Sequence, residues 1–192
     1  MKPVTTYLLC FLFFCFLLET YDLKAQSTPD SYIKIGGLYS FNKFPAYYLN
    51  QNENIGYQIS IEYERNFGKI KFITNCIQFD YVYQKPISSR NVYLGYGIKF
   101  YPCYWKYKQP NRGIILGLIP IFIFRDPKND FTPYGPGIST LLGYQLIIKN
   151  KFSLSFEVHL NYFQSLNKNT SHNPNNRYFN FLENFKMGIK LK

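Results

Sequence analysis

Apolar and polar residues alternate along most of this chain with a period of two, the spacing that gives a β-strand one apolar and one polar face. The clearest run is Phe152 to Phe163. Phe152, Leu154, Phe156, Val158, Leu160 and Tyr162 fall on one face, and Ser153, Ser155, Glu157, His159 and Asn161 on the other. A helix would scatter both sets around its circumference. In Ile55–Tyr63, the residues Ile55, Tyr57, Ile59, Ile61 and Tyr63 oppose Gly56, Gln58, Ser60 and Glu62. In Val92–Tyr101, the residues Val92, Leu94, Tyr96, Ile98 and Phe100 oppose Tyr93, Gly95, Gly97 and Lys99. Near the C-terminus Phe179, Phe181, Phe185, Met187, Ile189 and Leu191 share one parity, which Leu182 and Glu183 interrupt.

Four weaker segments fill the gaps: Tyr32–Phe41, Ile70–Tyr83, Ile114–Phe124 and Ile138–Ile148. Ile114–Phe124 is apolar on both faces, so its parity stays open. Ile70–Tyr83 changes parity near Thr74, the mark of a bulge. The pattern predicts eight strands, each about as long as a tilted membrane-crossing strand. Phe67-Gly68-Lys69 and Lys149-Asn150-Lys151 read as short turns, and Pro102–Arg112 is somewhat longer. Asn42–Asn54, Gln84–Asn91, Arg125–Pro136 and Gln164–Arg177 are longer and rich in Asn, Pro, Ser and charge. Short and long connections therefore alternate, as they do where short periplasmic turns oppose long outer loops. No repeat or second domain is visible.

Ahead of the strands, residues 1–25 read as a secretory signal peptide. Lys2 supplies the positive start, Tyr7–Leu18 an unbroken apolar stretch, and Ala25 a small residue suited to cleavage before Gln26. The competing reading is an uncleaved anchor, but a spanning helix needs about 20 apolar residues and this run stops at Glu19. The remaining residues, 26–192, form one β-barrel domain with no long apolar helical span.

Alternation alone does not say which face meets which solvent. A soluble lipocalin-like barrel keeps apolar side chains inside, and a membrane barrel reverses this. Composition favours the second. Phe and Tyr number 19 each, with one Trp, while only 17% of residues are charged. The polar faces carry Gly, Ser, Asn and Gln rather than the dense Lys and Glu of a soluble exterior. Rings also gather near strand ends: Tyr39, Phe41, Tyr63, Phe67, Tyr81, Tyr83, Phe100, Tyr101, Phe152, Tyr162, Phe163, Tyr178 and Phe179. Such rings suit aromatic girdles at headgroup depth.

In these features the chain resembles the small eight-stranded outer-membrane β-barrel families of Gram-negative bacteria, over residues 31–192. The resemblance implies an all-β, antiparallel, up-and-down transmembrane barrel in the cell outer membrane. The end of the chain, Met187-Gly188-Ile189-Lys190-Leu191-Lys192, has the Gly and alternating hydrophobics of such barrels' final strand, without the terminal aromatic.

On this reading Lys34, Glu62, Glu64, Asp80, Lys99, Glu157, His159, Lys186 and Lys190 point into the lumen. Tyr57, Ile59, Ile61, Leu94, Tyr96, Ile98, Leu154, Phe156, Val158 and Leu160 face lipid. Eight strands leave room only for side chains, so the lumen charges are expected to form a paired polar plug rather than a pore. Glu157 and His159 share a face and could form an acid/base unit. Some barrels of this kind modify lipid A, and the deacylases among them carry a His followed two positions later by Ser. Position 161 here is Asn. The leading expectation is a non-enzymatic barrel with a structural or surface-interaction role. A lipid A-modifying enzyme using Glu157 and His159, and a soluble exported barrel binding an apolar ligand, are the alternatives.

The net charge of +11 changes little in this picture. Arg65, Lys69, Lys71, Lys99, Lys106, Lys108, Arg112, Lys149, Lys151, Lys190 and Lys192 cluster at the short-turn end. A basic rim fits lipid phosphates or the cell wall, or lysines that merely snorkel. An exported barrel meets no nucleic acid. Cys76 and Cys103 fall at different heights, too far apart for a disulfide, and His172 lies in a polar loop. No cofactor or metal site is expected. The partners are outer-membrane lipid and an extracellular ligand or partner at the outer loops.

Overall fold

The structure is a computed structural model. It describes residues 30–41, 55–67, 70–84, 89–107, 110–125, 134–164, 166 and 177–191. Residues 1–25, read above as a signal peptide, most of each long connection, the Gly68-Lys69 turn and His172 lie outside these residues.

Eight strands form: β1 (Ser31–Phe41), β2 (Ile55–Phe67), β3 (Ile70–Gln84), β4 (Ser89–Phe100), β5 (Gly113–Arg125), β6 (Gly135–Ile148), β7 (Phe152–Gln164) and β8 (Arg177–Leu191). One helical turn, α1 (Tyr104–Tyr107), lies between β4 and β5. Each strand pairs antiparallel with the next, and β1 pairs with β8 to close a barrel in strict chain order. Closure leaves no exposed sheet edge where the first and last strands meet. The parity change read near Thr74 is a break in register, since Asn66 lies opposite Thr74 while Phe67 lies opposite Ile70. The β6–β7 turn puts Lys149 and Asn150 at φ 50° and 57°. Positive φ at both central residues gives the turn the twist of the strands it joins, and Lys151 N–H donates to the Ile148 carbonyl at 3.0 Å.

Burial settles which face is apolar. On β2, Gln58, Ser60, Glu62 and Glu64 are buried, while Tyr57, Ile59 and Ile61 are exposed. On β7, Glu157 and His159 are buried, Phe156 and Leu160 exposed, and Leu154 and Val158 half-buried. Charged and amide side chains fill the barrel, and aliphatic and aromatic ones coat it. That order is the reverse of a soluble barrel and matches a barrel whose solvent is lipid.

The open parity of Ile114–Phe124 has a simple cause. Ile115, Ile119, Ile121 and Ile123 point inward and are buried, while Ile114, Leu116, Leu118 and Phe124 stand outside. The inward isoleucines meet Val82, Tyr93, Leu141, Phe163 and Leu182 in an apolar cluster inside the barrel. Most of these lie toward the long-loop end, where Gln58, Asn91, Asn161 and Asn180 are buried as well.

Four sequence expectations need correction. Tyr96 has the outward parity but is only 3% exposed, and Phe122 on the next strand is 5% exposed. Both flank Pro120, where the β4–β5 ladder lapses between Gly95–Ile121 and Ile98–Leu118. Proline has no N–H to donate to a neighbouring strand. Phe163 and Tyr101 are not girdle rings, since both are buried inside. Lys99 does not belong to the basic rim, for its side chain is wholly enclosed. Glu183 explains the break in β8. It is exposed on the outer wall between Phe181 and Phe185, opposite Val158.

The division of β5 is testable. Ile119→Ala hollows the interior cluster and lowers folding stability in detergent by about 2–4 kcal/mol. Leu118→Ala, one residue away on the outside, costs less than about 1 kcal/mol. Urea titrations followed by gel mobility measure both, and equal losses would contradict the assignment.

Candidate functional site: a charged layer inside the barrel

Parity alone carries the charged residues indoors, and the register then decides which of them meet. Glu62 lies directly opposite Lys34 in the β1–β2 ladder. Lys99, Glu157 and Lys186 arrive at the same level from β4, β7 and β8. Lys99 Nζ donates to Glu62 Oε1 at 2.6 Å and to Glu157 Oε1 at 2.7 Å. Lys186 Nζ donates to Glu62 Oε2 at 2.5 Å and to Glu157 Oε2 at 2.8 Å. Two carboxylates and two ammonium groups thus form a closed quartet, with each ammonium bridging both acids. Lys34 extends it: its Nζ lies 3.2 Å from Glu62 Oε1, pairs with Glu64, and donates to Gln145 Oε1 at 2.7 Å. Gln145 Nε2 in turn donates to the Asn111 carbonyl at 2.7 Å.

Tyr101, just past β4, closes the layer from the short-turn end, its hydroxyl donating to Glu64 Oε1 at 2.7 Å. Burial first, and then the Glu64 carboxylate, hold its phenol well above the ordinary range, so it remains a donor. At the mouth Lys190 pairs with Asp30 at 2.6 Å and stays partly exposed. It is a rim residue rather than part of the enclosed layer.

The glycines of the polar faces acquire a purpose here. Gly36 lies opposite Lys186, Gly188 opposite Lys34, and Gly143 opposite Glu157. A Cβ on Gly36 would sit 2.2 Å from the Phe185 carbonyl oxygen and 2.6 Å from Lys186 Cγ, one on Gly188 2.4 Å from Ser153 Oγ and 2.7 Å from Lys34 Cγ, and one on Gly143 2.6 Å from the Phe156 carbonyl oxygen and 3.1 Å from Glu157 Cγ. Each glycine makes room both for the neighbouring strand and for the stem of a charged side chain. Alternation marks these positions as inward-facing, but only register shows that each opposes a charge.

His159 extends the layer toward the long-loop end. Its Nε2 lies 3.3 Å from Glu157 Oε2, and its Nδ1 lies 3.1 Å from Ser139 Oγ. The serine absent from position 161 therefore comes from β6, where Ser139 pairs with Asn161. A Ser–His–Glu chain has the connectivity of an activated nucleophile. Its surroundings oppose that use. Ser139 and His159 are 1% and 2% exposed, and both oxygens of Glu157 are already bound by Lys99 and Lys186. The arrangement orients the imidazole. Sequence spacing missed Ser139 because it lies on another strand.

Asp80 stands apart. One of its oxygens accepts from Gln78 Nε2 at 2.5 Å, while Oδ1 has no hydrogen-bond partner. Among the described residues no Lys, Arg or His nitrogen pairs with it. Beyond it, Asn161 Nδ2 donates to Asn180 Oδ1 at 2.9 Å, and Asn180 Nδ2 to the Tyr93 hydroxyl at 2.8 Å. Cys76 and Cys103 are both free thiols. Among the described residues no group of three or more His, Cys, Asp or Glu side chains is placed to share a metal ion.

Removing one cation should expose how tightly the layer is coupled. Lys99→Met leaves Glu62 and Glu157 short of a partner and lowers stability by about 3–5 kcal/mol. Adding Glu157→Gln to Lys99→Met recovers part of that loss. Denaturant midpoints of the two variants in one detergent make the comparison. A double variant no better than the single one would show that the quartet does not couple the two residues.

No protein-family model and no curated protein matches this chain. Among solved structures, it is similar to Neisserial surface protein A at a TM-score of 0.50 and 11% identity, covering 86% of this chain and 97% of that one. It is also similar to Ail, the attachment invasion locus protein of Yersinia pestis, solved with the heparin analogue sucrose octasulfate, at a TM-score of 0.43 and 13% identity. That match covers 86% of this chain and all of the other. The first likeness shows a shared fold, matching the closed antiparallel eight-stranded barrel seen here.

Proposed function

We propose that this chain is a non-enzymatic outer-membrane β-barrel with a structural or surface-interaction role, exported by a cleaved segment at residues 1–25. The observation that carries this reading is the inverted order of its residues. Seven acidic and lysine side chains are enclosed in the lumen, while wall residues such as Ile35, Phe181 and Met187 are about 60% exposed. Water would penalise such a wall, and lipid does not. The lumen supports the same reading, because a self-paired charged layer and an apolar cluster occupy it.

The short-turn end suits the periplasmic interface. Phe72 packs on Trp105 with ring centroids 4.7 Å apart and on Phe100 at 5.7 Å. Trp105 is 54% exposed, and Lys106, Lys149 and Lys151 are exposed beside it at this end. Amphipathic rings with nearby cations match headgroup depth. The four long connections then lie outside the cell, where an extracellular ligand or partner would meet them.

Fractionation tests the location. The protein is expected in the outer-membrane fraction, migrating faster on gels before boiling than after, and recovery from the soluble periplasm would overturn the proposal. Expression should leave the mass of lipid A unchanged. A shift that disappears in His159→Ala would restore the enzyme reading.

The wall gives an independent test through Glu183. Replacing it with Leu removes a carboxylate from the apolar face and raises stability in lipid vesicles by about 1 kcal/mol. Denaturant titration of the vesicle-inserted protein measures this, and a loss of stability would argue against lipid contact at this position.

A further inference from the structure

Trp105 is the single tryptophan of the chain, and more than half of it is exposed at the short-turn end. Its footing is well defined. Tyr101 N–H donates to the Phe72 carbonyl at 2.8 Å, and Tyr104 N–H donates back to the Tyr101 carbonyl at 3.1 Å. These bonds turn α1 against the start of β3. The indole then lies on Phe72 with ring centroids 4.7 Å apart, and it meets Phe100 at 6.3 Å and Tyr104 at 6.4 Å. Phe100 has the outward parity of β4, and its ladder partner Leu116 is exposed on the wall. The four rings therefore continue the apolar wall to its short-turn border.

Cations flank the rings. Lys71 precedes Phe72, Lys106 follows Trp105, and both are exposed. Lys71 makes no ion pair among the described residues. The described carboxylates of this end are committed elsewhere. Glu62 and Glu64 are enclosed in the lumen with lysine partners, and Asp30 pairs with Lys190 at 2.6 Å. Lysine has an apolar stem and a charged tip, so at the edge of an apolar wall it presents its ammonium at headgroup depth. A zwitterionic headgroup brings its own amine to its phosphate. A net-anionic one leaves the phosphate charge for the protein to meet.

We infer that Lys71, Lys106 and the Phe72–Trp105 stack form a site for the headgroup of an anionic phospholipid in the leaflet at the short-turn end. The rings lie against the glycerol and upper acyl chains, and the two ammonium groups meet the phosphate. The inference rests on the proposed membrane reading and adds a lipid class to it. The site is local. Lys149 and Lys151, exposed on the β6–β7 turn, belong to the same basic rim but not to the stack, and they serve as its control.

The test uses the full mature barrel in vesicles of equal parts phosphatidylcholine and phosphatidylglycerol. One lipid at a time carries brominated chains, which quench the Trp105 indole. Phosphatidylglycerol is expected to be enriched at Trp105 by about fivefold over phosphatidylcholine at low ionic strength. Lys71→Gln with Lys106→Gln is expected to bring that ratio below about twofold, while Lys149→Gln with Lys151→Gln leaves it near the parent's. Added salt is expected to shrink the ratio in the parent, a readout that survives if a variant fails to fold. No preference in the parent, a preference indifferent to salt, or equal loss in the two double variants would each overturn the site while leaving the barrel in the membrane. Gel mobility unchanged by boiling, with an indole quenched by neither lipid, would overturn the membrane reading and the site together. Trp105 emission that responds in detergent to soluble acidic cell-wall fragments, with no lipid preference in vesicles, would give the patch to that partner instead.

Discussion

The quartet of Glu62, Lys99, Glu157 and Lys186 is the constraint around which this barrel is arranged. Four enclosed charges are stable only if each is matched at hydrogen-bonding distance. Here each ammonium spans both carboxylates at 2.5–2.8 Å. Satisfying that condition fixes much else. It sets the registers of β2, β4, β7 and β8 against one another, because slipping any strand by one residue would turn its charge out into the wall. It also calls for glycine opposite Lys186 and Glu157, where a side chain would occupy the space of the charged stem.

The rest of the lumen follows from what the quartet leaves over. Toward the short turns the layer is extended by Lys34, Glu64 and the protonated phenol of Tyr101, and it is capped at the mouth by Lys190 and Asp30. Toward the long loops polar pairing gives way to Ile119, Ile121, Ile123, Leu141, Phe163 and Leu182. The lumen thus holds a charged layer and, largely toward the long loops, an apolar cluster interleaved with buried amides. Asp80, His159 and Ser139 lie where the two meet.

Much of this was legible from residue order, because period-two alternation is a direct image of a two-faced strand. The eight strands, the bulge near Thr74 and the inward parity of Glu62, Lys99, Glu157 and Lys186 follow from it. What alternation does not carry is registration between strands, so the meeting of Glu62 with Lys186, 124 positions away, was out of reach. So was Ser139 against His159. Where both faces are apolar, as in β5, the pattern has no contrast, and the interior cluster was hidden for that reason. Rings near strand ends misled for a related reason. Phe163 and Tyr101 are aromatic and lie near strand ends like girdle residues, and only their parity and their packing send them inside.

Barrel closure has a temporal side. The quartet draws its members from β2, β4, β7 and β8, and Lys34 adds β1, so a single hairpin forms at most part of it: β7–β8 holds Glu157 with Lys186, and β1–β2 holds Lys34 with Glu62 and Glu64. A partly assembled sheet would carry unmatched charges on the face destined for the interior, while its other face already sought lipid. The two demands agree only when the last strand has docked on the first. The full quartet, with each ammonium spanning both carboxylates, exists only once the closed barrel has brought all four strands together.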